Sequence, residues 1–234
     1  MFLRTGKRKL EFLQIPKFFD QTKPIVLAIS NAYGILLYTK EFIKALYEES
    51  QYNIFAFNLS GQGNSEGIAS LKNYVDDMDE IFNFMVDKYG ASKQNFYLYI
   101  NCSGIFSVLE LAKVRKLNFI KKIIIYNYLH TPSRLYLRAL KKMDRYNVRH
   151  VKNPISRNYD VIEGFKHIKC PIIIIHPSIV ANMLRANNKE LQLVQRRFSN
   201  IILQKPDNGY DILDYSQSPL IEDVVRTDIL PLLD

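Results

Sequence analysis

The sequence predicts an α/β domain, a mostly parallel sheet with helices packed on both faces. Two observations carry that prediction. Short runs of β-branched and aromatic residues recur along the chain without polar alternation, as strands buried on both faces require. Between them lie longer stretches whose apolar residues repeat at helical spacing, and parallel strands need such crossovers. The 234 residues, 47% hydrophobic and 24% charged, suffice for one domain with a sizeable core, so residues 1–234 are read as a single unit.

Pro24–Ile29 and Asn53–Phe57 read as the first two strands. Between them Leu37, Phe42, Ile43, Leu46 and Tyr47 mark one face of a helix over Leu36–Glu49. The unit repeats. Leu71–Tyr89 places Tyr74, Val75, Met78, Ile81, Phe82, Met85 and Val86 on a helical stripe, with Asp76, Asp77, Asp79 and Glu80 read as its solvated face, and Asn95–Ile100 is the next strand. Phe106–Lys113 is a helix, and Ile120–Tyr126, Ile172–His176 and Asn200–Gln204 are strands. An amphipathic helix runs from about Asn187 to Phe198, and a final one over roughly Pro219–Leu233. The interval of about 129–165 holds no strong strand. It contains a helical stretch at Pro132–Met143 and reads as a short helical lid inserted between two strands.

Composition excludes several classes. No apolar run approaches the roughly 18 residues of a bilayer span. The basic N-terminus has no following apolar stretch or cleavage site, so a cytoplasmic location is the expectation. Two cysteines, Cys102 and Cys170, make no disulfide framework and have no metal-ligand spacing with the four histidines, so neither metal nor cofactor is expected. The net charge of +9 is concentrated: between Lys113 and Arg157 thirteen basic residues face one acid, Asp144, a density suited to phosphates, anionic lipid or an acidic protein.

In open parallel sheets chemistry gathers where the strands end, so the following loops carry the functional reading. Asn58–Gly67 has three glycines in seven residues, but no Lys-Ser/Thr pair ends it as a phosphate loop would. Tyr99-Ile100-Asn101-Cys102-Ser103-Gly104 runs from a strand straight into a helix. A nucleophile on so sharp a turn stands above the sheet beside amides that stabilise an oxyanion.

At these residues the chain resembles the α/β-hydrolase family, particularly its small lipase and aminopeptidase-like members. Gly61-Gln62-Gly63-Asn64-Ser65-Glu66-Gly67 is similar to the family's Gly-His-Gly-x-Ser-x-Gly loop, with Gln62 for His. Ile100–Gly104 resembles its Gly-x-Ser-x-Gly elbow, residues 170–176 the strand before its acid, and Asp207–Asp211 its Gly-x-Gly-His-Asp ending. The resemblance covers about Pro24 to the C-terminus. It implies a nucleophile at Cys102, and an oxyanion hole from the amide of Asn31 or Ala32 with that of Ser103. The departures are as informative. Ile100 replaces the elbow's first glycine, Ser178-Ile179-Val180-Ala181 offers no carboxylate where the acid belongs, and Tyr210 stands where the base belongs.

A thiol tolerates loss of its base better than a hydroxyl, because some thiolate exists near neutral pH and a helix N-terminus favours it. His176, ending its strand, is a candidate relocated base, and Tyr210 a candidate hydrogen-bond partner for a ligand oxygen. Cys102 also reads as a buried small apolar side chain. The expected function is therefore an acyl hydrolase or acyltransferase acting on esters or thioesters, the substrate a small acyl compound free or bound to a carrier protein or coenzyme A. The alternative is a pseudoenzyme that keeps the fold and binds a ligand or an acidic partner, with Arg138, Lys141 and Lys142 of the lid as the docking residues. Nucleic-acid binding through the basic segment lacks any recognised motif and is not expected.

Overall fold

The computed structural model describes residues 1–6, 8–29, 36–93, 95–101, 104–126, 161–175, 188–204 and 225–233. An eight-stranded sheet runs through it in the order β1-β2-β4-β3-β5-β6-β7-β8. The strands are β1 (Phe2–Arg4), β2 (Lys9–Ile15), β3 (Ile25–Ile29), β4 (Asn53–Phe57), β5 (Phe96–Asn101), β6 (Ile120–Tyr126), β7 (Ile172–Ile175) and β8 (Ile201–Gln204). The helices are α1 (Leu36–Ser50), α2 (Leu71–Tyr89), α3 (Ile105–Val114), α4 (Val161–Phe165) and α5 (Asn188–Arg197). From β4 to β8 every pairing is parallel, while β2 runs antiparallel to both β1 and β4. The α/β class and the parallel core agree with the sequence-based expectation.

Side-chain alternation divides the interior into two cores. Ile25, Leu27 and Ile29 of β3, Phe55 and Phe57 of β4, and Phe96, Leu98 and Ile100 of β5 face α2, α3 and α4. The intervening residues Val26, Ala28, Ile54, Ala56, Tyr97 and Tyr99 face Phe42, Ile43 and Leu46 of α1. A strand with a core on each side has no place for polar residues between its ends, which is why these strands read as continuous apolar runs, with Asn53 and Asn101 at their termini. Helix α2 starts at Ser70, whose side chain accepts from the Asn73 amide, and ends at Gly90 in the left-handed region (φ 64°).

Three features differ from the sequence-based expectation. The first is the β1–β2 hairpin, which extends the sheet ahead of Pro24. Its Lys9-Leu10-Glu11-Phe12 segment alternates polar and apolar residues because only one side chain in two faces the core, a pattern that a search for wholly apolar strands passes over. The second is Asp77, expected on the solvated face of α2 but only 2% exposed. Its carboxylate accepts from the Ser60 amide at 2.7 Å and pairs with Arg8 at 3.3 Å, a partner supplied by the turn of the unanticipated hairpin. The third is the C-terminus, where the described part of the expected helix is a π-helical turn (Val225–Ile229) followed by a 3-10 turn (Leu230–Leu232). Pro231 has no amide hydrogen to continue an α-helical ladder. Val225, Ile229 and Leu233 nevertheless close the core over α1.

The residues from Val161 to Phe165, at the end of the interval read as a lid, form α4. Val161 and Phe165 are buried in the larger core, and Gly164 lies so close to α3 that an added Cβ would stand 2.6 Å from Leu109 Cβ. Gly164→Ala is expected to cost about 1–3 kcal/mol in urea unfolding, through overpacking of that helix contact. A change below about 0.5 kcal/mol would contradict the close approach.

Burial raises the Asp77 carboxyl above its ordinary value despite the bonds from Ser60 and the charge of Arg8. For an acid whose folded-state pKa is raised, the native state holds the extra proton, so its contribution to stability falls as pH rises through that pKa. Removing Arg8 raises the pKa further. Arg8→Met, which keeps the stem, is therefore expected to destabilise by about 3 kcal/mol at pH 7, with the deficit shrinking as pH falls towards 4. Urea titrations of both proteins across that range test it, and a deficit independent of pH would show that Asp77 is not the group involved.

Candidate functional site

The parallel strands end in register. Ile29 lies opposite Phe57 and Ile100, Asn101 opposite Tyr126, Tyr126 opposite Ile175, and Ile175 opposite Gln204. This row of strand ends is the carboxyl edge of the sheet, where open α/β sheets build their binding sites. The chain leaves it into residues 30–35, 58–70, 102–103, 127–160, 176–187 and 205–224.

Every sequence-predicted site residue falls in those departures. Asn31, Ala32, Cys102, Ser103, His176, Tyr210, Arg138, Lys141 and Lys142 all lie outside the described residues. What is described is the frame that carries them. β5 is held between β3 and β6, and Asn101, its last residue, is buried. Gly104 caps α3 in a helical conformation, its carbonyl accepting from Ser107 Oγ at 2.9 Å, and Ile105, Phe106, Val108 and Leu109 are fully buried. Two residues, Cys102 and Ser103, therefore join a central strand to a helix that cannot shift without opening the core. The N-terminus of α3, ten residues long, carries partial positive charge at that junction.

The glycine-rich connection after β4 is the one departure described in full, and several of its amides and side chains are bonded within the protein. Asn58 and Asn64 donate to the Glu11 carboxylate, the Ser60 amide to Asp77, and the Glu11 amide to Ser65 Oγ. Burial works against the charge of Glu11, yet these donors hold its carboxyl below the ordinary value. Gly61, at φ 76°, allows the chain to turn where a Cβ would meet the Ala69 amide nitrogen at 2.7 Å. A loop that directs the Ser60 amide to Asp77 of α2 and the Asn64 amide to Glu11 of β2 is a braced wall of the carboxyl edge, not a phosphate cradle.

Arg8, Glu11 and Asp77 were not singled out by sequence reasoning. The alternation in Lys9–Phe12 was the signal available for the first two; nothing local marks Asp77 apart from its acidic neighbours.

Cys170, the cysteine among the described residues, precedes β7 at the opposite, amino edge. Burial pushes its thiol up to about 11. It is remote from the row of strand ends and poorly ionised. Among the described residues no group of three His, Cys, Asp or Glu side chains could hold a metal ion, and no helix is long and apolar enough to cross a membrane.

No family profile and no curated protein matches the sequence. Solved structures do. The enol-lactonase from Burkholderia xenovorans LB400 superposes over 100% of both chains with a TM-score of 0.69 at 12% identity. The thioesterase domain from the curacin biosynthetic pathway matches at TM-score 0.64 and 13% identity, over 97% of this chain and 98% of that one. Est1E from Butyrivibrio proteoclasticus, solved with ferulic acid bound, matches at 0.59 and 14%, over 97% and 96%. At such identities the likeness is one of architecture. With eight strands in this order, a single antiparallel intruder and these neighbours, the chain has the α/β-hydrolase fold.

Proposed function

We propose that this protein transfers or hydrolyses acyl groups of esters or thioesters, with Cys102 as the nucleophile. The observation that carries the reading is the junction of β5 and α3: only Cys102, Ser103 and Gly104 separate a central strand from a buried helix, at the carboxyl edge of a hydrolase fold. The neighbours' chemistry, thioester, ester and lactone cleavage by their names, supports the same class.

In this reading the Cys102 sulfur attacks the acyl carbonyl carbon. The amides of Ser103 and of Asn31 or Ala32 hold the resulting oxyanion, the bond to the leaving thiol or alcohol breaks, and that group departs with the proton the cysteine gives up. His176, the residue that follows Ile175, relays the proton, and Tyr210 hydrogen-bonds the ligand oxygen. Water, or an acceptor nucleophile, then adds to the acyl-cysteine and returns a proton to sulfur. Thiol and thioester exchange at little cost in free energy, which favours coenzyme A or carrier-bound substrates. The basic residues of the lid ahead of α4, Arg138, Lys141 and Lys142 among them, suit the phosphates of such a substrate or an acidic carrier.

Intact-mass spectrometry with a panel of acyl-coenzyme A thioesters tests the reading. One acyl group per chain, mapped to Cys102, lost with time and absent in Cys102→Ala, is the expected result. No adduct, together with a Cys102 inert to iodoacetamide in the folded protein, would overturn it in favour of a non-catalytic binding protein.

The two thiols should also differ sharply. With a pKa of about 11, Cys170 is ionised in only about one molecule in a thousand at pH 8. Folded Cys102→Ala is therefore expected to resist iodoacetamide at that pH until urea exposes Cys170. Rapid alkylation of the folded variant would contradict the buried thiol.

A further inference from the structure

The amino edge of the sheet, opposite the candidate site, gathers charge from segments far apart in sequence. Lys116 lies between α3 and β6 and Lys121 in β6. Lys166 and Lys169 lie between α4 and β7, and Arg196 and Arg197 end α5 just before β8. All six are exposed. Because β6, β7 and β8 are neighbours in register, with Ile123 opposite Ile172 and Ile172 opposite Ile201, these helix-to-strand connections enter strands about 5 Å apart.

Complementing helix dipoles accounts for Arg196 and Arg197 in the last turn of α5. It does not account for Lys116, Lys121, Lys166 and Lys169, which stand beyond helix ends or in a strand. Among the described residues, Glu163 is the one carboxylate in an ion pair with any of the six, through Lys166. The nearby acids Glu110 and Asp79 are matched by Lys113 and Arg115. Lys121 donates to Asn95 Oδ1 and Lys169 to the Lys166 carbonyl, both neutral acceptors, so the positive charge of five of the six has no carboxylate partner among the described residues.

The same edge carries protruding apolar side chains. Phe18, in the connection from β2 to β3, is 80% exposed beside Lys17, and Val114, at the end of α3, is 81% exposed beside Arg115 and Lys116. They are the two most exposed large apolar side chains among the described residues. A nucleic acid gains nothing from an aliphatic protrusion such as Val114, which offers no face for stacking. Apolar side chains rising from a cationic surface match the boundary between anionic headgroups and acyl chains.

We propose that the amino edge is a docking face for anionic phospholipid bilayers, holding the protein with its carboxyl edge turned away from the lipid. The proposal is independent of whether Cys102 is acylated. Substrate would then reach the site from the aqueous side.

Because the chain has no tryptophan, single Phe18→Trp, Val114→Trp and Ile68→Trp variants report on one position each. Ile68, 65% exposed, lies in the loop at the carboxyl edge and marks the opposite orientation. With phosphatidylserine–phosphatidylcholine vesicles, the first two are expected to shift to the blue and the third to stay unchanged. Each cation near an anionic surface contributes about fivefold to partitioning, so a Lys116→Gln, Lys169→Gln, Arg197→Gln triple variant should bind about a hundredfold more weakly. A Lys40→Gln, Lys44→Gln, Lys72→Gln triple, with the same charge change on α1 and α2, should lose less than about fivefold. Circular dichroism verifies that both triples are folded. Four results would each overturn the proposal: no cosedimentation of the wild type with these vesicles at physiological salt, equal losses in the two triples, a shift confined to Ile68→Trp, or binding to a homopolymer RNA with none to vesicles.

Discussion

A strand packed on both faces must be apolar wherever it is covered, with polar residues such as Asn53, Asn101 and Lys121 confined to its ends, and this constraint governs the centre of the molecule. β3, β4, β5, β6 and β7 each send alternate residues into two separate cores, so a one-residue slip in any of them would exchange the two sets. The exchange would set bulky Phe96, Leu98 and Ile100 against α1 and leave Tyr97 and Tyr99 facing α3. Full burial of one large apolar side chain contributes about 2 kcal/mol, so the register is held by many such terms at once. The alignment of strand ends at the carboxyl edge follows from it, and with it the point at which each functional loop departs.

The hairpin of β1 and β2 acts differently. It places Leu10 and Phe12 in the larger core and also supplies the groups that fix the loop after β4, Arg8 to Ser60 and Asp77, and Glu11 to Asn58 and Asn64. The two carboxylates show which effect wins at each place. At Glu11 the hydrogen bonds outweigh burial and the carboxyl falls below its usual value; at Asp77 burial outweighs both Ser60 and Arg8 and it rises. The Arg8–Asp77 pair is therefore a device of position more than a source of stability, since a buried pair recovers little beyond its own desolvation.

The fold separates two ends with different chemistry. At the carboxyl edge the N-terminus of α3 adjoins Cys102 and Ser103 in sequence; at the amino edge α5 finishes in Arg196 and Arg197, and Lys116, Lys166 and Lys169 follow α3 and α4. The strands between them, five residues in β3 and β4, keep these ends about 15–20 Å apart. The proposed acyl-transfer site and the proposed docking face can then be altered separately, because no strand-end residue serves both.

Much of this was legible in the sequence, for a physical reason. Strands β3 to β8 and helices α1, α2, α3 and α5 announce themselves because burial imposes periods on the side chains themselves, and the short connection that holds Cys102 announces itself because a strand running straight into a helix leaves few residues between. Strands β1 and β2 were missed because an edge hairpin buries one face only, and Asp77 because its environment is made by Arg8 and Ser60, residues 69 and 17 positions away. The amino-edge charge was equally invisible, since Lys116, Lys169 and Arg197 become neighbours only through the pairing of β6, β7 and β8. Periodicity is a property of contiguous chain, so the sequence by itself determined strands β3 to β8 and helices α1, α2, α3 and α5, and marked Cys102 as a candidate. Which charges end up buried, braced or side by side depends on contacts between distant segments, and only the tertiary structure decided that.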